Sequence, residues 1–509
     1  MLPLATPDSE QRSVSAAPQP RDTTVLVAIA AGLAVAHILT NGRYGFHRDE
    51  FQFLSDARHL DWGFVAYPPL TPFIEHIGLS LFGLSLIGLR MFSVIAQAFA
   101  IFVSGVMARD LGGSRMAQVA TALGVGLSPL PMFNATEFQY TSFAFLWWIL
   151  VCWFTIRLLK TDNPRWWLAI GAAIGLGLLT KYSVVFFVAG LLAGLVLTRA
   201  RRHLLSPWFY AGVGIALVLF APNILWLIRH HFVSYTFLQH IHGRDVGEGR
   251  ADGYWKNQLL LCANVFTVPV WIAGLVAFFR SSRYRMLAWM YVVPVAVFGF
   301  SKGRFYYVAE AYPVLIAMGT VVAERWLATR PRWARRTTES VFFAGLAGMG
   351  AFLVALLIPV ASSGPLRDFA LKNNGDLREQ IGWDELVRKV AMVRDSLPPD
   401  QQSSVGIIVG NYGEAGAIEN LGPAYHLPPP ISMTNSFYLR SYPQQQPSTL
   451  IVLGYAKRRA DRDFTACRSV GHGGNSLGIR NEESEYDILV CGPPRQPWPE
   501  FWKNNQRFG

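Results

Sequence analysis

The chain has 509 residues, of which 52% are hydrophobic and only 15% charged, and its net charge is +12. Soluble globular domains carry about a quarter charged residues, so a wholly soluble protein is excluded and a chain embedded in a bilayer over much of its length is expected. The basic excess does not point to nucleic acid, because Lys and Arg are scattered over many short loops and form no single stripe.

Residues 1–22 are polar and are expected to form a disordered cytoplasmic N-terminus. The first apolar run, 23–40, reads as an anchor: a long polar stretch precedes it, and no small-x-small cleavage site precedes Asn41. Crossing the hydrocarbon takes about 20 apolar residues. Further runs lie near 86–107, 115–133, 139–158, 166–180, 183–198, 208–228, 257–279, 286–300, 305–324 and 339–360. The expectation is about eleven transmembrane helices, forming a membrane domain over 23–360.

Cytoplasmic loops are enriched in Lys and Arg. Arg109 and Arg115, Arg157 to Arg165, Arg199 to Arg202, Arg280 to Arg285 and Arg325 to Arg336 fall in alternate loops. A cytoplasmic N-terminus satisfies all of them. Loop 41–85, the turn near 129–138, loop 229–256, the links near 181 and 302, and everything after 360 then lie on the exterior.

The unusual chemistry is on that face. Asp49 and Glu50 are adjacent carboxylates in Arg43-Tyr-Gly-Phe-His-Arg-Asp-Glu-Phe-Gln-Phe53. Neighbouring side chains on a helix diverge, so one can face a reacting hydroxyl and the other a cation such as Arg43, His47 or Arg48. A solvated surface pair is the plainer alternative. The same loop continues through Asp61, Trp62, Tyr67, Pro68 and Pro69, which fits short amphipathic helices lying at the bilayer surface around a cleft. Glu137 and Gln139 add polar groups at the second exterior turn.

Lys181, Lys302 and Arg304 sit where the positive-inside pattern disfavours cations. A buried charge in lipid costs about 2.5–3.5 kcal/mol on insertion scales, and an anionic ligand would offset that. Arg grips phosphate oxygens in pairs and Lys supplies a point charge. Tyr182 and Tyr307 adjoin these cations and join Arg43, Asp61, Tyr67 and Glu137 as candidate substrate contacts. His230, His231, His240 and His242 lack the tight spacing of a metal site, so interfacial histidines are the default and no cofactor is assigned. Together, an exterior base, exterior cations and an interfacial cleft suggest transfer from a lipid-phosphate-linked donor to an acceptor hydroxyl. A flippase for a lipid-linked sugar is the alternative. It fits less well, because ionisable groups gather at the membrane edge and no internal repeat is visible.

After a linker at Ser362–Pro365, residues 366–509 read as a small soluble α/β domain, with a helix over 384–396 and buried strands at 404–409 and 450–453. Gly410-Asn-Tyr-Gly413-Glu-Ala-Gly416 is a strand–turn–helix passage with the wrong spacing for a dinucleotide loop. It is a tight turn, or else Asn411, Tyr412 and Glu414 hold an acceptor against the membrane domain. Cys152 and Cys262 lie in apolar runs, while Cys467 and Cys491 lie in the tail, where a disulfide is allowed but spacing leaves it open.

Arg48-Asp49-Glu50, His59-Leu-Asp61-Trp62-Gly63, Pro68-Pro69-Leu70, Leu179-Thr-Lys181-Tyr182, and Ser301-Lys302-Gly303-Arg304 with Tyr312-Pro313 resemble bacterial membrane glycosyltransferases. The group is that of the protein O-mannosyltransferases and lipid A aminoarabinose transferases, glycosyltransferase family 39 with the GT-C fold. The resemblance implies a polytopic α-helical enzyme of the bacterial inner membrane, with its active site and C-terminal α/β domain on the periplasmic side. It implies a polyprenyl-phosphate-linked sugar as donor, and an acceptor that is a lipid, a glycan or a protein. It implies Asp49 as the catalytic aspartate with Glu50 completing the acidic pair, and Lys302, with Lys181 and Arg304, on the donor phosphate. Glu137 stands nearest to an acidic residue that some relatives carry near the second exterior turn, in a different local pattern.

Overall fold

The computed structural model describes residues 20–509. The disorder expected for 1–22 falls largely outside that range, and the first helix already starts at Pro20. Among the described residues, six helices are long and apolar enough to cross a membrane: Thr23–Thr40, Leu86–Asp110, Tyr140–Thr161, Pro207–Arg229, Phe305–Ala328 and Arg332–Leu357. Two further pairs are bent, Val184–Leu197 against Arg199–Leu205 by 101° and Tyr254–Leu260 against Val265–Arg280 by 90°. Leu70–Phe82, Trp166–Leu178 and Arg285–Phe300 are shorter apolar helices.

Every apolar run is therefore helical, and among the described residues six helices, or up to eight if each bent pair is one span, have the length and composition to cross a membrane, against the roughly eleven expected. A helix of 13 residues such as Trp166–Leu178 rises only about 20 Å, against roughly 30 Å of hydrocarbon. The run 115–133 breaks into Arg115–Gly126 and Pro129–Asn134, because Pro129 has no N–H to continue the ladder. The helices approach closely through small residues, as is common where lipid leaves packing to do the work. A Cβ on Gly171 would stand 2.0 Å from the Gly212 carbonyl, and one on Gly319 1.9 Å from the Val270 carbonyl.

Between the first two long helices the chain forms the acidic helix Arg48–Arg58. Its start is fixed by a capping box: the His47 ring accepts from the Asp49 N–H and the Glu50 carboxylate accepts from the His47 N–H. Residues 50–57 of this helix are all buried. The helix Tyr412–Leu421 of the C-terminal region packs against it.

That region is built on a mixed sheet of five strands among the described residues: β1 Val405–Val409, β2 Pro430–Ser432, β3 Thr449–Leu453, β4 Arg468–His472 and β5 Asp487–Cys491, in the order β2-β1-β3-β5-β4. β1 is parallel to β2 and β3, and β5 is antiparallel to β3 and β4. Alternation along the strands divides the core. Ile407, Val409 and Ile451 face helices Trp383–Asp395 and Tyr412–Leu421, whereas Ile408, Leu450 and Val452 face Trp498, Phe501 and Trp502. The passage after β1 is a tight turn and helix start capped by Asn411 and Glu414. Cys467 and Cys491 are joined in a disulfide beside the β4–β5 edge, and Cys152 and Cys262 are buried free thiols.

The helix Tyr412–Leu421 docks on the acidic helix through Gly416, where a Cβ would lie 2.5 Å from the Phe51 carbonyl. A larger residue there must push two backbones apart, which costs about 1–3 kcal/mol. Gly416→Leu is expected to lower the melting temperature of the detergent-solubilised protein and expose the acidic helix to protease. Gly214→Ala, on the helix Pro207–Arg229 with no atom within 4 Å of its Cβ position, should change neither.

Candidate active site

A cavity of about 600 Å³ lies between the acidic helix, the membrane helices and the C-terminal region. Its polar floor carries Asp49, Tyr67, Lys181 and Tyr182, with Tyr412 and Asn435 reaching in from the C-terminal side. Its apolar lining includes Leu130, Phe133 and Leu357 as well as Phe237, Leu238 and Ile241 from the helix Val233–Gly247.

The structure gives the two adjacent carboxylates different work. Glu50 is only 1% exposed and both its oxygens are engaged. Oε1 accepts from Arg90 Nε at 2.8 Å and the Phe138 N–H at 2.8 Å; Oε2 accepts from Arg90 Nη2 at 2.7 Å and the His47 N–H at 2.7 Å. Arg90 is completely buried and also donates to the carbonyls of Asn41 and Gly45. Glu50 thus has no free lone pair facing the cavity. The expectation that it shares the acidic chemistry is replaced by a structural role, which a sequence without Arg90 in view could not assign. Asp49, one residue earlier, turns the other way into the cavity with its side chain 38% exposed.

The candidate cations also separate. Lys181 lies in the break between Trp166–Leu178 and Val184–Leu197, with its ammonium over the Tyr307 ring at 4.8 Å and the Tyr140 ring at 5.5 Å. Such faces hold a cation without neutralising it. Among the described residues Lys181 has no salt bridge, although the buried Glu310 carboxylate acts on it electrostatically, and its side chain lines the cavity. Arg304 lines the same cavity but is committed: Nε and Nη2 donate to Asp245 at 2.6 and 2.5 Å, and Nη1 to the Tyr306 hydroxyl at 2.9 Å. Lys302 is exposed, at a φ of 55°, and does not line the cavity. The phosphate-binding role expected of Lys302 has no support in its position.

Of the other expected contacts, Tyr67, Tyr182 and Tyr307 line the cavity. Tyr67 donates to Asp56 Oδ2 at 2.6 Å and Tyr182 to the Ser234 hydroxyl at 3.4 Å. Asp56 is fully buried, and burial pushes its carboxyl up to about 6 against the pull of Arg440 and the Tyr67 hydroxyl. Glu137 lies just behind the cavity, accepting from Gln139 at 2.7 Å and Gln380 at 2.9 Å, with His47 at 3.8 Å. Burial raises its carboxyl, and the neighbouring imidazole opposes that. Arg43 is exposed away from the cavity, and Asp61 is spent on loop structure, accepting from Trp226 Nε1 and its own neighbour's N–H. His230 stacks on Trp226, and among the described residues no three metal-ligating side chains converge. Tyr140, Arg244 and Asn435 also line the cavity without having been candidates from the sequence, and His47, expected only as a partner of the acidic pair, lines it too. Arg244 had a usable signal, being an exterior-side cation like Lys181. Asn435 had none, because only the docking of two distant segments brings it here.

Comparison with known proteins bears on this geometry. Residues 66–226 match the family described as dolichyl-phosphate-mannose-protein mannosyltransferase. An undecaprenyl phosphate-alpha-4-amino-4-deoxy-L-arabinose arabinosyl transferase of Pseudomonas fluorescens is 26% identical over 301 residues, covering 54% of this chain and 53% of the relative. The lipid A galacturonosyltransferase RgtD of Rhizobium johnstonii is 26% identical over 363 residues, covering 68% and 72%. The fold is similar to that of ArnT from Cupriavidus metallidurans solved with undecaprenyl phosphate, with a TM-score of 0.54, 16% identity, and coverage of 92% of this chain and 97% of that one. The chain has a GT-C-like fold, and its match to the mannosyltransferase family lies within residues 66–226. It spans about half the length of the arabinosyl transferase it matches (53%). The archaeal oligosaccharyltransferase of Archaeoglobus fulgidus shares the fold at a TM-score of 0.51 and 13% identity, over 81% of this chain and 64% of its own.

The Glu50–Arg90 pair offers a clean test of the division between the carboxylates. Breaking one partner of a buried ion pair costs about 3–5 kcal/mol, whereas replacing both by apolar groups can be nearly neutral. Glu50→Gln is expected to lose most folded protein by size-exclusion in detergent. The double change Glu50→Leu with Arg90→Met should recover part of it. A well-folded Glu50→Gln protein lacking activity would instead return Glu50 to the chemistry.

Proposed function

We propose that this chain is an integral-membrane glycosyltransferase that moves a sugar from a polyprenyl-phosphate donor to an acceptor hydroxyl. The reaction takes place on the face of the bacterial inner membrane that carries the C-terminal region. The observation that carries the reading is one cavity lined by an accessible carboxylate, Asp49, a cation without a salt bridge, Lys181, and many apolar side chains. The polyprenyl donor is consistent with the undecaprenyl phosphate named for the arabinosyl transferase relative and for the solved ArnT. The donor tail lies along the apolar lining. Its phosphate meets Lys181, with Arg244, which shares Asp245 with Arg304 and Arg250, as the second cation lining the cavity. Arg304 is neutralised by Asp245 and acts by orienting Tyr306.

In the reaction the acceptor oxygen attacks the anomeric carbon as the bond from that carbon to the phosphate oxygen breaks. The acceptor proton passes to Asp49. The electron pair of the broken bond stays on the polyprenyl phosphate, whose added negative charge Lys181 stabilises. Attack opposite the departing phosphate inverts the anomeric centre. The apolar lining also suits an acceptor that is itself a lipid, in keeping with the lipid A named for one relative.

The test is transfer by the purified protein in liposomes, using radiolabelled undecaprenyl-phosphate sugars with lipid A as the first acceptor. General-base assistance contributes about 10²–10⁴-fold, so Asp49→Asn should lower kcat by at least about 10² with donor binding retained. Lys181→Ala removes stabilisation of the departing phosphate and is expected to lower kcat by on the order of 10²-fold, as well as raising donor KM. Wild-type turnover by Asp49→Asn overturns the assignment of the base. Lipid-linked sugar crossing the bilayer with no transfer would favour the flippase.

A further inference from the structure

The active-site base is held by the C-terminal region. Asp49 Oδ1 accepts a hydrogen bond from the Tyr412 hydroxyl at 2.7 Å, across 363 residues of sequence. Among the described residues no hydrogen-bond donor is placed on Oδ2, which stands 4.0 Å from His47 Nδ1, an atom that already accepts the Asp49 N–H. One carboxylate oxygen is therefore fixed by Tyr412, and the residue lines the cavity.

Tyr412 is itself rigidly supported. It is the first residue of the helix Tyr412–Leu421, whose N-terminus is closed by the reciprocal bonds of Asn411 and Glu414. The Arg48 guanidinium lies over the Tyr412 ring at 4.9 Å and is anchored on its far side by Glu482. Gly413 lets the helix end approach closely, since a Cβ there would stand 3.0 Å from Arg48 Cβ and 2.9 Å from the Trp383 ring. Burial raises the phenol well above its ordinary range, so Tyr412 stays protonated and acts as a donor.

Resting on the reading of Asp49 as the base, we propose that Tyr412 is a positioning residue for the transfer reaction. Its hydroxyl pins Asp49 Oδ1, so that Oδ2 is presented to the acceptor hydroxyl, and the C-terminal region thereby completes the catalytic site. A carboxylate at the tip of a short side chain turns freely about its last bond. A fixed second oxygen removes that freedom before the acceptor arrives, and such preorganisation of the base lowers the barrier without changing donor affinity. This differs from an acceptor contact by Tyr412, which would show first in acceptor KM.

The experiment uses the full-length protein in liposomes with the radiolabelled undecaprenyl-phosphate sugar and lipid A. Wild type, Tyr412→Phe, Asp49→Asn and the double variant are compared. Transfer to water, read as sugar released without acceptor, is followed in parallel. Tyr412→Phe is expected to lower kcat about 10-fold, the size of one lost hydrogen bond to a charged group, with donor KM within about twofold. In the Asp49→Asn background the same change should have no further effect, because groups acting through one another are non-additive. A purely structural loss would persist in that background. Asn411→Ala loosens the helix end while keeping the hydroxyl. It should lower kcat in the same background-dependent way, and it serves if the phenylalanine variant folds poorly. An unchanged or faster Tyr412→Phe enzyme beside an inactive Asp49→Asn enzyme overturns the positioning role and leaves the base intact. An active Asp49→Asn enzyme overturns the base itself.

Discussion

The Glu50–Arg90 pair is the constraint on which the rest of the site depends. A bidentate ion pair with both members essentially out of solvent is costly unless every remaining lone pair and proton is satisfied. Here the leftover capacity of Glu50 goes to the backbone of His47 and Phe138, and that of Arg90 to the carbonyls of Asn41 and Gly45. One ion pair therefore ties together the end of the first long helix, the start of the acidic helix, the helix Leu86–Asp110 and the turn before Tyr140–Thr161. Because Glu50 also closes the capping box, its placement fixes where the acidic helix begins. The direction in which Asp49 points follows from that.

Two adjacent acids on a helix are separated by about 100° of rotation. Once Glu50 is locked to Arg90 on one side, Asp49 cannot reach the same partner and is left at the cavity rim. This resolves the question raised by the Asp-Glu dipeptide without any appeal to two reacting carboxylates. The same logic of prior commitment sorts the cations. Arg304 and Lys181 carry the same local signal, yet Asp245 takes the Arg304 guanidinium in a direct ion pair while Lys181 sits on aromatic faces with no salt bridge among the described residues. An anion entering the cavity meets Lys181 at little cost and would have to break a charge-assisted pair to reach Arg304.

The helical nature of the apolar runs, the sheet strands β1 and β3, the helix over Trp383–Asp395 and the cavity positions of Asp49 and Lys181 were all legible, because each rests on a local signal: hydropathy, alternation, or a charge where lipid disfavours one. What was not legible depends on pairing between distant segments. Nothing near Glu50 announces Arg90, nothing near Arg304 announces Asp245, and Lys302 carries the same local signal as Lys181 although it lies on the outside of its turn. The number of full spans was also beyond reach. Hydropathy registers the apolar runs 166–180 and 183–198 without showing that the helices they form are short or bent where they pack against neighbours.

The C-terminal region presents the sharpest case of information held between segments. As a sequence it is a small α/β unit with a capped helix start, and the acidic helix is a short amphipathic stretch. Neither alone completes a site. Their docking buries residues 50–57 and sets Tyr412 on Asp49, while Asn435 donates to Gln52 at 2.9 Å and Arg440 to Asp56 at 2.7 Å along the same contact. A loosely tethered module would not bury charged and amide groups in mutual hydrogen bonds, since each left unmade costs more than it returns when made. The polar character of this interface thus argues for a docked arrangement specified in detail, in which one wall of the cavity and the orientation of its carboxylate come from outside the membrane helices.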